Sequence, residues 1–216
     1  MKSLVFIAAC LASGTLASAS ADETGKSVLL MEPSAKVHFI TTGGAELRAD
    51  WSEAAKINFD THFHSQLSDA GYSVIKFDPE QEKADTLEQL LLLYEVASSQ
   101  TGLVMPHKGK GITANANLTL GKDAQILKEA HGTDDALFVT HYSQIESGGV
   151  FASQVAIAAL TGYAPASQNV RLTDGRMVDL ETGDFGKAFT AYGGDPRDET
   201  ESFGITERIL QKILAE

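Results

Sequence analysis

The chain has 216 residues, 43% of them apolar, and a formal net charge of −12, enough length for one domain with its own core. So acidic a chain repels nucleic acid and anionic membrane surfaces. Its one cysteine, Cys10, sits near the start, which excludes disulfide and thiol chemistry from everything after it.

Met1-Lys2, an apolar run from Ser3 to Leu16, and Ala17-Ser18-Ala19-Ser20-Ala21 before Asp22-Glu23 follow the order of a bacterial secretion signal: charge, apolar stretch, small-residue cleavage site. The run is too short to cross a ~30 Å bilayer as a helix. Residues 1–21 are therefore read as a signal peptide, with cleavage after Ala21. That cleavage leaves 195 residues and removes one positive charge, Lys2. Ile7-Ala8-Ala9-Cys10 also resembles a lipobox, and lipidation at Cys10 is the alternative. Simple cleavage is preferred because only nine residues precede Cys10 and the apolar run continues beyond it.

Residues 22–26 form a short flexible lead, and 27–216 one α/β domain. Ser27–Met31 reads as a buried strand ended by Pro33. Lys36–Thr41, β-branched and aromatic, reads as a second strand, broken by Gly43-Gly44. Asp50–Ala70 is the clearest helix. Asp50 with Glu53 suggests a capping box, and Trp51, Ala55, Phe59, Phe63 and Leu67 recur every four residues on one stripe. Gly71 is placed to close it, and Tyr72–Phe77 follows as a strand. After a loop carrying Pro79, Thr86 is expected to cap a helix reaching Gln100, whose Leu90–Leu93 run is apolar all round.

The segment from Val104 to Leu120 is rich in turn residues. Lys122–His131 is a short helix closed by Gly132, and Ala136–Ile145 is the best strand of the chain. Val150–Tyr163, rich in alanine, reads as a helix. Asn169–Leu180 and Asp184–Tyr192 pair as a hairpin about Glu181-Thr182-Gly183, with Gly183 at the position needing φ > 0. Ile205, Ile209, Leu210, Ile213 and Leu214 mark one face of a final helix over about Thr200–Leu214. The order β-β-α-β-α-(α)-β-α-β-β-α implies a single domain with a mixed sheet flanked by helices.

Chemistry-bearing motifs are scarce. His62 and His64 lie two apart on a helix and so point to different faces, which does not suit a shared metal ion. There is no Gly-x-Ser-x-Gly elbow and no His-Glu-x-x-His. Lys108-Gly109-Lys110-Gly111 lacks phosphate-loop spacing. Asp195, Asp198, Glu199 and Glu201 read as an acidic helix start rather than a calcium loop. Asn117-Leu118-Thr119 fits a glycosylation sequon with no expected use in an exported bacterial protein. No catalytic, cofactor-binding or metal-ligating residue is assigned, and no cofactor is expected.

Leu87–Ala97 and Val150–Tyr163 are more apolar than the surface of a small domain needs. The plain reading buries both in the core; the alternative turns them toward a protein partner or a membrane surface. In the second segment Phe151, Ile157, Leu160 and Tyr163 are the side chains large enough to anchor a contact.

The stretches VLLMEP (Val28–Pro33), TTGGAELRADWSEAAKINF (Thr41–Phe59), ALFVTHYSQIESGG (Ala136–Gly149) and VDLETGD (Val178–Asp184) resemble a group of uncharacterised proteobacterial envelope proteins and lipoproteins. Their fold is similar to the α/β domain of the TolB amino terminus and of CsgG-type secretion lipoproteins. The resemblance implies an accessory role in the cell envelope, at the outer membrane, and brings no catalytic residues. The short distance from Met1 to Cys10 departs from a usual lipoprotein signal. The expectation is a non-enzymatic periplasmic protein that binds another envelope protein, with no nucleic-acid partner and with membrane contact only through lipidation at Cys10. The alternative is a small periplasmic hydrolase using carboxylates that no motif identifies.

Overall fold

The computed structural model of the protein describes residues 26–78, 84–102 and 119–215. Residues 1–21 with Cys10, read above as a signal peptide, nearly all of the expected lead, Pro79 and the residues after it, Lys108–Gly111, and Asn117-Leu118 of the sequon lie outside them. The elements are β1 (Ser27–Leu30), β2 (Ser34–Thr41), β3 (Gly44–Leu47), α1 (Ala49–Asp69), β4 (Ser73–Lys76), α2 (Ala84–Gly102), a 3-10 turn (Gly121–Ala124) running into α3 (Gln125–His131), β5 (Asp135–Glu146), α4 (Gly148–Thr161), β6 (Val170–Asp179), β7 (Phe185–Tyr192) and α5 (Glu199–Ile213). The expected α/β architecture is present, a mixed sheet flanked by helices, with seven strands among the described residues where the sequence suggests six.

β5 is the centre of the sheet. Along one edge it pairs antiparallel with β6 from Asp135 to Gln144, and β6 pairs with β7. The other edge is divided. β1 lies parallel to Asp135–Leu137 and β2 parallel to Thr140–Glu146. β1 and β2 thus run end to end as one interrupted strand. Val28 is opposite Asp135 and Ser34 opposite Thr140, so six steps on this strand match five on β5. The extra residue sits at Met31-Glu32-Pro33, where Pro33 cannot donate to a ladder. It also flips the parity of the side chains. Val28 and Leu30 share a core face with Ala35 and Val37, even positions before the bulge and odd positions after it.

Two cores result, one on each side of the sheet. On the first, α1 and α5 pack Phe59, Phe63, Leu67, Ile205 and Ile209, all fully buried, against Val28, Val37, Leu137 and Val139. The stripe recurring every four residues in the sequence is this contact. Trp51 packs at its rim. On the second, α2, the 3-10 turn and α3 place Leu90, Tyr94, Leu120 and Leu127 over Leu29, Met31, Phe138 and Val178. Tyr94 stacks on Phe138 with ring centroids 4.1 Å apart.

Local expectations divide. Gly71 (φ 87°) closes α1, with Gly71 N–H donating to Ser68 O and Tyr72 N–H to Leu67 O, both at 3.0 Å, a Schellman close. Asp50 is not the N-cap of α1. Arg48 holds that position without a side-chain cap, because the Asp50 carboxylate is taken by the Arg48 guanidinium in a two-pronged pair at 3.0 and 2.7 Å. Thr86 is not a cap either, since α2 is already helical from Ala84. β3 has no counterpart in the sequence reading. Its four residues are exposed, so no alternation marks them, and Gly43-Gly44 reads as a break where it is a hairpin turn.

Candidate functional site

β5 and β6 are antiparallel neighbours, for which a turn of a few residues suffices. Instead, 23 residues separate Glu146 from Val170. From Ser147 to Val170 there is not one charged side chain. Ser147 caps α4, its hydroxyl accepting from Val150 N–H at 3.2 Å. Gly162, in the left-handed region at φ 70°, ends it.

Glu146 fastens the base of this excursion. Its carboxylate accepts from Gln154 Nε2 at 2.8 Å, Gln168 N–H at 2.5 Å, Ser167 Oγ at 3.3 Å and Asn169 Nδ2 at 3.2 Å. Those donors, led by the Gln168 amide, hold the carboxyl below the usual range. The Asn169 amide oxygen in turn accepts from Glu146 N–H at 2.9 Å.

No residue of α4 is buried. This corrects the plain expectation that Val150–Tyr163 belongs to the core. Val150, Gln154 and Ala158 are half-buried toward the sheet, but both cores are already closed by α1 with α5 and by α2 with α3, so α4 has no core left to fill. Phe151 is 63% exposed, Ile157 43%, Leu160 86% and Tyr163 68%. The Leu90–Leu93 run divides differently. Leu90 and Tyr94 enter the second core, while Leu91, Leu92, Leu93 and Val96 face outward.

Between α4, the end of β5 and the β2–β3 hairpin lies an open groove of about 510 Å³. Ile40, Thr41, Ala45, Gln144, Gln154 and Ile157 form its walls. Among the described residues its lining includes no titratable side chain. Of the four anchor side chains picked out in the sequence, Ile157 lines this groove; Phe151, Leu160 and Tyr163 do not. The hairpin wall leaves no signal in the sequence because every residue of β3 is exposed and no alternation marks it. The absence of charge over Ser147–Val170 was the available signal for the excursion.

Besides Glu146, the buried groups with shifted acidity lie elsewhere, inside the sheet. Burial raises the Asp174 carboxyl, while Arg176 at 3.5 Å and the Thr190 hydroxyl at 2.8 Å oppose that rise. Burial likewise raises the Tyr94 phenol. On the opposite face of the sheet His141 Nδ1 lies 2.8 Å from Thr173 Oγ1, and burial pushes this imidazole down to about 4. His141 Nε2 and Ser143 Oγ are buried without a hydrogen-bond partner among the described residues. Asp195 and Arg197 form a two-pronged pair at 2.8 and 2.5 Å. The Arg197 guanidinium lies 4.0 Å from the Trp51 ring centroid and Arg48 4.4 Å from it, which ties the loop before α5 to the start of α1. These are internal fastenings, and none opens into the groove.

His62 is buried with its ring edge-on to Phe203. Among the described residues no three His, Cys, Asp or Glu side chains converge as metal ligands, and no helix is long and apolar enough to cross a membrane.

No protein-family model matches the chain, and no curated protein does. Among solved structures it is similar to the lipoprotein GNA1162 from Neisseria meningitidis. The two share 14% identity over 77% of this chain and 78% of that one, with a TM-score of 0.33. A likeness at that level carries no argument about activity, partner or location, and the geometry of the Glu146–Val170 excursion has to carry the reading alone.

Proposed function

We propose that this chain is a non-enzymatic accessory protein of the bacterial envelope, periplasmic after loss of residues 1–21, and that it binds another envelope protein through α4. The observation behind this reading is the charge-free excursion: a connection far longer than the hairpin needs, with large apolar side chains held in water. Leaving such a face uncovered costs about 25 cal/mol per Å², so it is kept where something covers it. A few buried aromatic or aliphatic anchors carry most of the affinity of an interface, and Phe151, Leu160 and Tyr163 are of that kind. A lipid anchor at Cys10 remains the alternative means of reaching the membrane. The other reading, a small hydrolase, finds no carboxylate in the lining of the groove.

The test is photocrosslinking in the native envelope from positions on α4, followed by mass spectrometry. Phe151→Ser and Leu160→Ser are expected to abolish the crosslinks and leave the purified protein as stable as the parent. If both variants unfold the protein, α4 is structural and the reading fails.

A further inference from the structure

We infer that the partner of α4 is a second copy of this chain, the two helices packing antiparallel across a two-fold axis. The inference rests on the proposed reading of α4 as a contact surface and narrows its partner from an envelope protein in general to a second copy of this chain.

The first ground is charge. Each processed copy carries about −13, the −12 of the full chain less Lys2, so two copies brought together repel over most of their surfaces. Among the described residues the stretch Ser147–Val170 is the longest without a charge. A basic partner, the natural complement of so acidic a protein, finds no carboxylate on α4 to select it. The surface that fits α4 is therefore itself uncharged and apolar, and the same face of a second copy has that character.

The second ground is shape. With Val150, Gln154 and Ala158 turned to the sheet, helical spacing puts Gly148, Ala152, Ala156 and Ala159 along the middle of the outward face. Val155 with Phe151 flanks it on one side and Leu160 on the other. A two-fold axis level with Val155–Ala156 sets Ala152 opposite Ala159 of the second copy. It brings Tyr163 of each copy to the Gly148 end of the other, where no side chain obstructs the ring. Such a contact is isologous and closes at two copies.

The third ground is area. Aromatic side chains bury about 150–250 Å² each. Given the exposures of Phe151, Leu160, Tyr163 and Val155, the face offers on the order of 500 Å² per copy, against roughly 800 Å² in a standard interface. The pair is accordingly a weak, concentration-dependent one.

Sedimentation equilibrium of the protein, expressed from its full sequence and purified as processed, tests this from about 1 µM to several hundred µM. The expected result is a monomer–dimer equilibrium that tightens as salt is raised, because salt screens the mutual repulsion and leaves the apolar contact intact. Ala152→Glu and Ala159→Lys should each hold the protein monomeric, and mixing the two variants should restore dimer, since the Glu of one then faces the Lys of the other. A dimer unaffected by these substitutions, or variants that do not rescue each other, overturns the inference. A protein that stays monomeric throughout, while Phe151→Ser still abolishes envelope crosslinks, overturns self-pairing and leaves the contact surface standing with a different protein on it. Variants that unfold overturn both.

Discussion

Gly175 lies directly beneath Ile209: a Cβ built at position 175 would stand 2.3 Å from Ile209 Cγ2. The glycine is on β6, opposite Val139 of β5, and its missing side chain is the space into which α5 settles. Gly175→Ala should cost about 1–3 kcal/mol through overpacking, read as a lower denaturation midpoint at unchanged slope. A change under about 0.5 kcal/mol, the range of ordinary surface substitutions, would mean that α5 stands further from the sheet than described.

Acid should weaken the fold through His141. Its imidazole is neutral in the folded protein down to about pH 4, whereas in the unfolded chain it titrates near 6.5. The unfolded state therefore binds more protons between those values, and stability falls as pH drops from about 6.5 to 4. The loss amounts to about 3 kcal/mol at most. His141→Gln should flatten this part of the stability–pH curve. An unchanged curve would assign the acid sensitivity to other groups.

Glu146 should control the order of the excursion without touching either core. Glu146→Ala removes the acceptor shared by Gln154, Ser167, Gln168 and Asn169. Amide hydrogen exchange over 148–169 should then speed up while β5 and α1 keep their protection. Acid acts in the same direction. The carboxyl is held below its ordinary range, so its contribution persists above that range and is lost only as pH falls through the depressed value. Unchanged exchange in the variant would place the anchor elsewhere, with the Ser147 cap as the next residue to alter.

Processing is checked by intact-mass measurement of the envelope fraction. An N-terminus at Asp22 is expected; a species beginning at an acylated Cys10 would replace simple cleavage with lipid anchoring.

The parts of the fold legible in the sequence are those where burial imposes a period. The Phe59, Phe63 and Leu67 stripe of α1, the unbroken apolar start of β5, and Ile205, Ile209 and Ile213 of α5 all follow from one face meeting a core. β3 left no trace because none of its four residues is buried. Asp50 misled because a good capping residue two positions from an arginine has another partner available. α4 misled more instructively. Apolar content alone cannot distinguish a core helix from one left in solvent; the distinction depends on whether another element has already closed the core, which is a property of the assembled sheet. The charge-free run across Ser147–Val170 was visible, but nothing in the sequence tied it to Glu146 or to the Thr41–Ala45 wall of the groove.

The divided edge of β5 also sets the order in which the chain can fold. Val28 finds its partner at Asp135, 107 positions further on, and Ser34 finds Thr140. The centre of the sheet therefore cannot close until well over half of the chain is available, and closing so long a loop is slow. α1 and β4 emerge early but have no completed sheet to pack against. Under the proposed export, that delay is useful. The strand that commits the chain to a folded state arrives late, so a polypeptide in transit would stay threadable until β5 is available.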